Sequence, residues 1–355
     1  PEGPQPILGN PSEDGLYDTE LPNLHDYQEE ILFQNGLFQT NYLSVQGKSS
    51  TTNFFASGQR LRDEGIIQMT NGYTRNTFRL NVDHRISGKF DVNASSLYSK
   101  SHQDLLEPLS NGPQSYLATV LFLSPIFDLD APNEEDDSAY DWDIDNTGMG
   151  ITNPLYDREN TTQTVDRSRI LGSFGFNYYP DDWLKFSYFA SIDRSVNQYE
   201  HYIKKGYLSS NIPGLFGAMA SASTPGSNGG GIHRSQRINS SIISRLSVTA
   251  EKKLGGFNTA WRGSLLYEDL TLEFNEGRGE NLAVKEIRSL DNAQSNIFIA
   301  SEKQEAVAYS GFLIGDIDYK DKYIFSGLFR REGSSLFGPR ERWANYYRLS
   351  AAYRL

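Results

Sequence analysis

Apolar and polar residues alternate along much of this chain with a period of two. Phe78, Leu80 and Val82 alternate with Arg79, Asn81 and Asp83. Leu184, Phe186, Tyr188, Ala190 and Ile192 alternate with Lys185, Ser187, Ser191 and Asp193. The same rhythm returns at Leu246, Val248 and Ala250, and again at Tyr347, Leu349, Ala351 and Tyr353. A period of two gives each strand one apolar and one polar face. It predicts strands near 39–47, 53–61, 74–85, 90–100, 167–179, 183–199, 236–252, 257–274, 305–319, 323–331 and 344–355. A soluble sandwich alternates in the same way, so periodicity alone leaves the kind of sheet open.

The connections narrow it. Short gaps (48–52, 86–89, 180–182, 253–256, 320–322) alternate strictly with long ones (62–73, 101–166, 200–235, 275–304, 332–343). Short turns on one rim and long loops on the other characterise outer-membrane barrels, whose short turns are periplasmic. A Greek-key sandwich has no reason to segregate loop length so regularly. Predicted strands such as 183–199 also exceed the usual five or six residues and are long enough to cross a bilayer. The expectation is all-β, an antiparallel transmembrane β-barrel with about 11 strands in residues 39–355 and long extracellular loops at 101–166, 200–235 and 275–304. Both outermost strands run toward the short-turn rim, and such edges cannot close antiparallel. An internal piece of a larger barrel is therefore expected, with residues 1–38 as an upstream extracellular loop segment.

Composition agrees. The chain holds 21 Tyr and 20 Phe against 3 Met, a balance that favours strands. With no cysteine it has neither disulfides nor thiolate metal sites. A net charge of −12 argues against a nucleic-acid partner. No apolar run reaches the roughly 18 residues of a spanning helix, and Pro1–Pro4 does not open a signal peptide.

The charge is concentrated. Between Lys100 and Arg158 there are twelve carboxylates and no Lys or Arg. A solvated, self-repelling external loop explains this. A divalent-cation site is the sharper alternative, because Asp141, Asp143 and Asp145 alternate as at the start of a calcium loop. Against it, Asn146 stands where a glycine should turn the chain and Thr152 where a bidentate Glu should close the site. Residues 114–123 read as a short helix in this loop. Tyr140, Trp142 and Tyr156 could stack on sugars or peptides, or anchor the loops to one another. The Gly/Ser-rich run 221–231 reads as a flexible external loop. Phosphate loops, zinc-binding His pairs and nucleophile elbows are missing, and the five His are scattered, so no catalysis and no cofactor are expected.

Several stretches resemble a known family. Arg330-Arg-Glu-Gly-Ser-Ser-Leu-Phe-Gly338 strongly resembles the hallmark of SusC/RagA-like TonB-dependent outer-membrane transporters, with Glu332 replacing the usual Asp. Asn41–Ser57 with Asp63–Ile66, then Arg75–Arg85, Asn153–Tyr156 and Pro180–Leu184, resemble further parts of it. The signature residues Arg330, Arg331, Glu332, Gly333, Ser334, Ser335, Phe337 and Gly338 read as structural support. Gly333, Gly338 and Pro339 fit a tight loop, and Arg330, Arg331 and Arg340 with Glu332 and Glu341 a charged cluster at the external rim.

The resemblance implies a 22-stranded barrel around a plug domain that this sequence does not include. It implies import of glycans or peptides, a SusD-like surface lipoprotein as lid, and energy from TonB-ExbB-ExbD through the plug. Outer-membrane lipid and a dimer of transporter–lipoprotein pairs are further implied partners. A SusC-like barrel serving as structural subunit of an assembly or secretion complex stays open as an alternative. A secreted β-sandwich adhesin is the third reading, disfavoured by the loop rhythm.

Overall fold

The structure, a computed structural model, describes residues 25–27, 33–106, 123, 125, 127–133, 138–141, 153–209, 226–227 and 229–354. One antiparallel sheet of eleven strands dominates it. In chain order it comprises β1 (Phe38–Lys48), β2 (Thr52–Asp63), β3 (Tyr73–Ser87) and β4 (Phe90–Asp104). A helix, α1 (Pro154–Asn160), precedes β5 (Thr161–Asp181) and β6 (Leu184–Ile203). A two-residue ribbon, β7 (Leu208–Ser209) and β8 (Gly226–Ser227), leads to β9 (Gly231–Leu254), β10 (Phe257–Leu282), β11 (Ala293–Tyr319), β12 (Tyr323–Ser334) and β13 (Trp343–Tyr353). Apart from the ribbon, each strand pairs with its successor, so the sheet is a simple meander.

Local chemistry explains the short turns. Ser49 Oγ accepts from the backbone N–H groups of Thr51 and Thr52, at 3.2 and 3.0 Å, and closes the β1–β2 turn. Between β11 and β12, Lys320 and Asp321 both take positive φ, 53° and 55°. These left-handed positions turn the chain through the three-residue connection Lys320–Lys322, which the Lys322 N–H closes on Tyr319 O at 3.1 Å.

The strand assignment from periodicity stands, but most strands are longer than periodicity suggested, chiefly at the long-loop rim. The expected loop 275–304 shrinks to 283–292, because Asn275–Leu282 and Ala293–Gln304 continue the β10–β11 ladder. Likewise 101–166 becomes 105–160 and 200–235 becomes 204–230. The tops escaped detection because they carry polar residues on both faces. Their register is held by ladder hydrogen bonds and by contacts such as Arg278 over the Phe298 ring, at 4.4 Å. The helix expected at 114–123 lies outside the described residues except for Leu123, which is buried.

Most of the sheet buries little; the described core sits in the loops and strand tops at the long-loop rim. Tyr27, Leu123, Leu129 and Leu155 form one cluster. Tyr156, Ile203 and Tyr207 form a second, and Tyr202, Ile232, Leu282 and Ala293 a third. Tyr27 ties the upstream segment into this collar, donating its hydroxyl to Phe127 O at 2.7 Å.

Two glycines seat aromatic rings across the ladder. A Cβ on Gly315 would stand 2.5 Å from the Trp261 ring, and one on Gly333 would stand 2.8 Å from the Trp343 ring. Gly333 is therefore a strand residue paired with Trp343, not part of the tight loop expected from the sequence. Gly315→Val should unseat Trp261 at a cost of about 1–3 kcal/mol. Tryptophan emission before and after the substitution reads the displacement; an unchanged spectrum would contradict it.

Candidate functional site

Register assigns every strand residue to one of two faces, because directly paired residues share a face. One face carries Phe78, Leu80 and Val82 on β3, Phe174 and Phe176 on β5, Leu246 and Val248 on β9, and Leu313 and Ile317 on β11. Its apolar run measures about nine to eleven residues along a strand, as from Phe90 to Tyr98 or Tyr309 to Tyr319. Charge-free through its middle, the run ends in aromatics at the short-turn side. Phe90 stacks on Tyr178 at 4.5 Å between centroids, and Phe257, Tyr319, Tyr323 and Tyr353 continue the belt. Such girdles flank the apolar band of membrane barrels.

The band does not follow the hydrogen-bonded rows. Val45, near the β1–β2 turn, lies in one row with Leu80, Ile192 and Ile242, the last at the far end of the band. Each strand is therefore displaced against the next, and the strands tilt relative to the band. Barrel closure demands such shear.

The opposite face is polar. It presents Ser57, Ser99, Ser191, Asn239 and Ser247, together with Arg75, Arg79, Arg169, Arg245 and Arg330. Arg169 clamps Asp193 with two donors at 2.8 and 2.5 Å. Arg75 Nε, Asp91 Oδ1, Asn239 Oδ1, Asp318 Oδ1 and Arg330 Nε on this face are enclosed yet lack a hydrogen-bond partner. Polar groups so placed suit a wetted or occupied lumen.

At the long-loop rim, α1 organises the collar. Asn153 is fully buried; its Oδ1 accepts the Leu155 N–H at 2.9 Å as N-cap, and its Nδ2 donates to Leu129 O at 2.9 Å. Arg158 reaches Leu105 O at 3.3 Å and Met69 O at 3.4 Å, joining the loops after β4 and β2. The Asp157 carboxyl is enclosed although the residue keeps some surface, and burial raises its pKa despite a 2.9 Å bond from the Tyr207 hydroxyl. Asn153→Ala should loosen this corner by about 2–3 kcal/mol, from a lost cap and an orphaned carbonyl. Faster amide exchange at 153–160 is the readout, and unchanged exchange would contradict it.

A second assembly at the mouth of the polar face went unseen in the sequence. His201 and His233 stand directly opposite on β6 and β9. His233 Nε2 lies 3.1 Å from Glu276, and its ring meets the Tyr199 ring edge-on at 5.3 Å. Burial, then the facing His233, lowers the His201 pKa to about 4. Burial also lowers that of His233, partly offset by Glu276. Residues so far apart in sequence meet only through register, so no local signal could have grouped them.

The residues singled out in the sequence are placed unequally. Asp141 is half-buried, its N–H bonded to Ala131 O at 2.8 Å, while Asp143, Asp145 and Trp142 lie outside the described residues. Among the described residues no group of three or more His, Asp or Glu could hold a metal ion. Tyr156 is wholly buried and stacks on Tyr207 at 5.6 Å, so it anchors loops and is closed to a ligand. Of the signature, Arg330, Arg331, Glu332, Gly333 and Ser334 close β12, while Ser335, Phe337 and Gly338 lie in the turn beyond. The expected charged cluster reduces to Arg330–Glu332 at 3.0 Å, with Arg330 also donating to Ser310. Arg331 faces the other way and covers the Trp343 ring at 5.2 Å. Ser335 bridges to β11, its N–H bonding Val307 O and its hydroxyl accepting the Val307 N–H, both at 2.8 Å.

A tilted antiparallel sheet with one apolar, aromatic-bordered face and one polar face is part of a transmembrane β-barrel wall. Comparison with known proteins makes this more particular. The chain is 25% identical over 327 residues to TonB-dependent receptor P26 of Formosa agariphila, which covers 88% of the chain and 30% of that protein. It is 23% identical over 322 residues to TonB-dependent receptor P3 of the same organism, with 90% and 30% covered. The chain thus spans under a third of the length of these relatives. No family model matches. Among solved structures, the RagAB peptide transporter superposes with a TM-score of 0.67 at 14% identity, over 93% of this chain and 35% of that one. The RagAB peptide importer in its "closed-closed" state gives 0.64 at 14% identity, over 93% and 36%. At that identity the likeness is one of fold, and the fold is that of a TonB-dependent barrel. The resemblance to SusC/RagA-like TonB-dependent transporters, first read from Arg330–Gly338 and Asn41–Ile66, is borne out.

Proposed function

We propose that this chain forms part of the barrel of an outer-membrane importer, with the apolar face against lipid and the polar face lining the path of a peptide or glycan. The observation that carries the reading is the division of the two faces by register. Loop length orients the wall, the long-loop collar outside the cell and the short turns in the periplasm. The unpartnered polar atoms of the inner face would meet a plug, through which TonB-ExbB-ExbD delivers energy. A SusD-like lipoprotein would close the collar from outside, in a pair that can itself dimerise. Likeness to TonB-dependent receptors and to a peptide transporter supports this proposal.

The test uses the full-length receptor, purified in mild detergent from its own outer membrane. Recovery of a surface lipoprotein, together with loss of oligopeptide or oligosaccharide uptake when the receptor is deleted, is the expected result. Recovery of assembly factors with uptake intact would favour a structural subunit and overturn the importer.

A further inference from the structure

Just above the apolar band, the outward side chains are not uniformly polar. On β2, β4 and β6 the first outward residue past the apolar run is a cation: Arg60 after Gly58, Lys100 after Tyr98, and Arg194 after Ile192. Arg60, Asn76, Lys100 and Ser168 share one hydrogen-bonded row, and Arg194 stands one outward position below it on β6. With strands about 4.8 Å apart, Arg60 and Lys100 are about 10 Å apart along the wall. All three cations are exposed, and none makes an ion pair or side-chain hydrogen bond with another described residue. Arg62, Arg169 and Arg330, by contrast, are held by Glu64, Asp193 and Glu332. On β10, β11 and β12 the first outward residue past the apolar run is Asp269, Glu305 and Arg331, and Arg331 is engaged with the Trp343 ring. Higher on β11, Lys303 is held by Glu273 and Glu305. Cations without such a partner therefore mark the sector from β2 to β6.

We propose that Arg60, Lys100 and Arg194 bind the phosphates of outer-leaflet lipid headgroups. The inference rests on the barrel reading, in which headgroups lie at the level where the apolar run stops and long cationic side chains reach toward them. Two features favour lipid over a soluble anion. The cations stand at the upper edge of an apolar wall that acyl chains would cover. The stretch from Ser101 to Asp157 that follows Lys100 carries twelve carboxylates and no Lys or Arg, and repels anions arriving from solution.

The experiment reconstitutes the full-length receptor in phosphatidylcholine vesicles containing a minor fraction of phosphatidylglycerol, and identifies retained lipid by native mass spectrometry. The wild type should retain phosphatidylglycerol selectively. The triple variant R60Q/K100Q/R194Q should retain it on the order of a hundredfold less, at about 1 kcal/mol per cation. The double variant D269N/E305Q should match the wild type. Equal retention by the triple variant, or displacement by inorganic phosphate alone, would overturn the site. Protease protection separately reports insertion: a wild-type receptor left outside the vesicles would overturn the barrel reading and this site with it.

Discussion

Leu313→Arg should destabilise the membrane-inserted protein by about 2–4 kcal/mol, the cost of an arginine on the lipid face near the bilayer midplane. Leu313 lies midway along the apolar run of β11, half exposed, and is paired with Gly263 on one side and Phe329 on the other. An arginine there has no carboxylate within its row and is too deep to reach water without thinning the bilayer. The comparison is Ser191→Arg on the polar face, beside Asp193, where the same side chain meets a wetted lumen and should cost little. Urea titration of the full-length receptor in vesicles, followed by the loss of heat-modifiable migration on gels, measures both. Equal destabilisation by the two would contradict the assignment of faces.

Acidification should open the β6–β9 mouth, by as much as about 3 kcal/mol. The direction follows from His201, whose pKa is depressed from 6.5 to about 4 in the folded protein, first by burial and then by the facing His233. Between those values the unfolded segment binds the proton that the folded one refuses. Stability is therefore complete above about pH 6.5 and falls away as the pH drops toward 4. At about 1.4 kcal/mol per pH unit, the ceiling is about 3 kcal/mol. Glu276, Arg278 and Tyr199 surround the pair; burial lowers the His233 pKa as well, so His233 adds to the opening, and the Glu276 carboxylate partly offsets its share. Amide protection factors at 199–203 and 231–235, which take out the intrinsic slowing of exchange in acid, should fall over that window and lose most of their pH dependence in His201→Leu. A flat profile in the wild type would remove the prediction.

Much of this was legible because lipid imposes a simple rule. Wherever one face meets hydrocarbon, apolar residues recur every second position, and Phe78–Val82 or Leu184–Ile192 announce a strand unaided. Above the band both faces see water, the alternation stops, and Asn275–Leu282 reads as loop although it continues the ladder. The aromatics were legible only as alternatives: Tyr156 could serve a ligand or anchor the loops, and its place at the centre of a small core settles it as an anchor. Gly333 beside Ser334 and Ser335 reads as turn chemistry, and only the pairing with Trp343 reveals it as the seat of a ring. The His201–His233 pair and the grouping of Arg60, Lys100 and Arg194 depend on register, which no single strand encodes.

The division of faces can be read directly: this stretch contains no cysteine, and any cysteine elsewhere in the receptor is first replaced by serine. Single cysteines placed in the full-length receptor at each position from Ile242 to Thr249 on β9 would be exposed, in intact outer membranes, to a membrane-impermeant thiol reagent. The account predicts reaction at Ile243, Arg245, Ser247 and Thr249, which face the lumen, and protection at Ile242, Ser244, Leu246 and Val248, which face lipid. Reactivity without a period of two, or with the two sets exchanged, would contradict it.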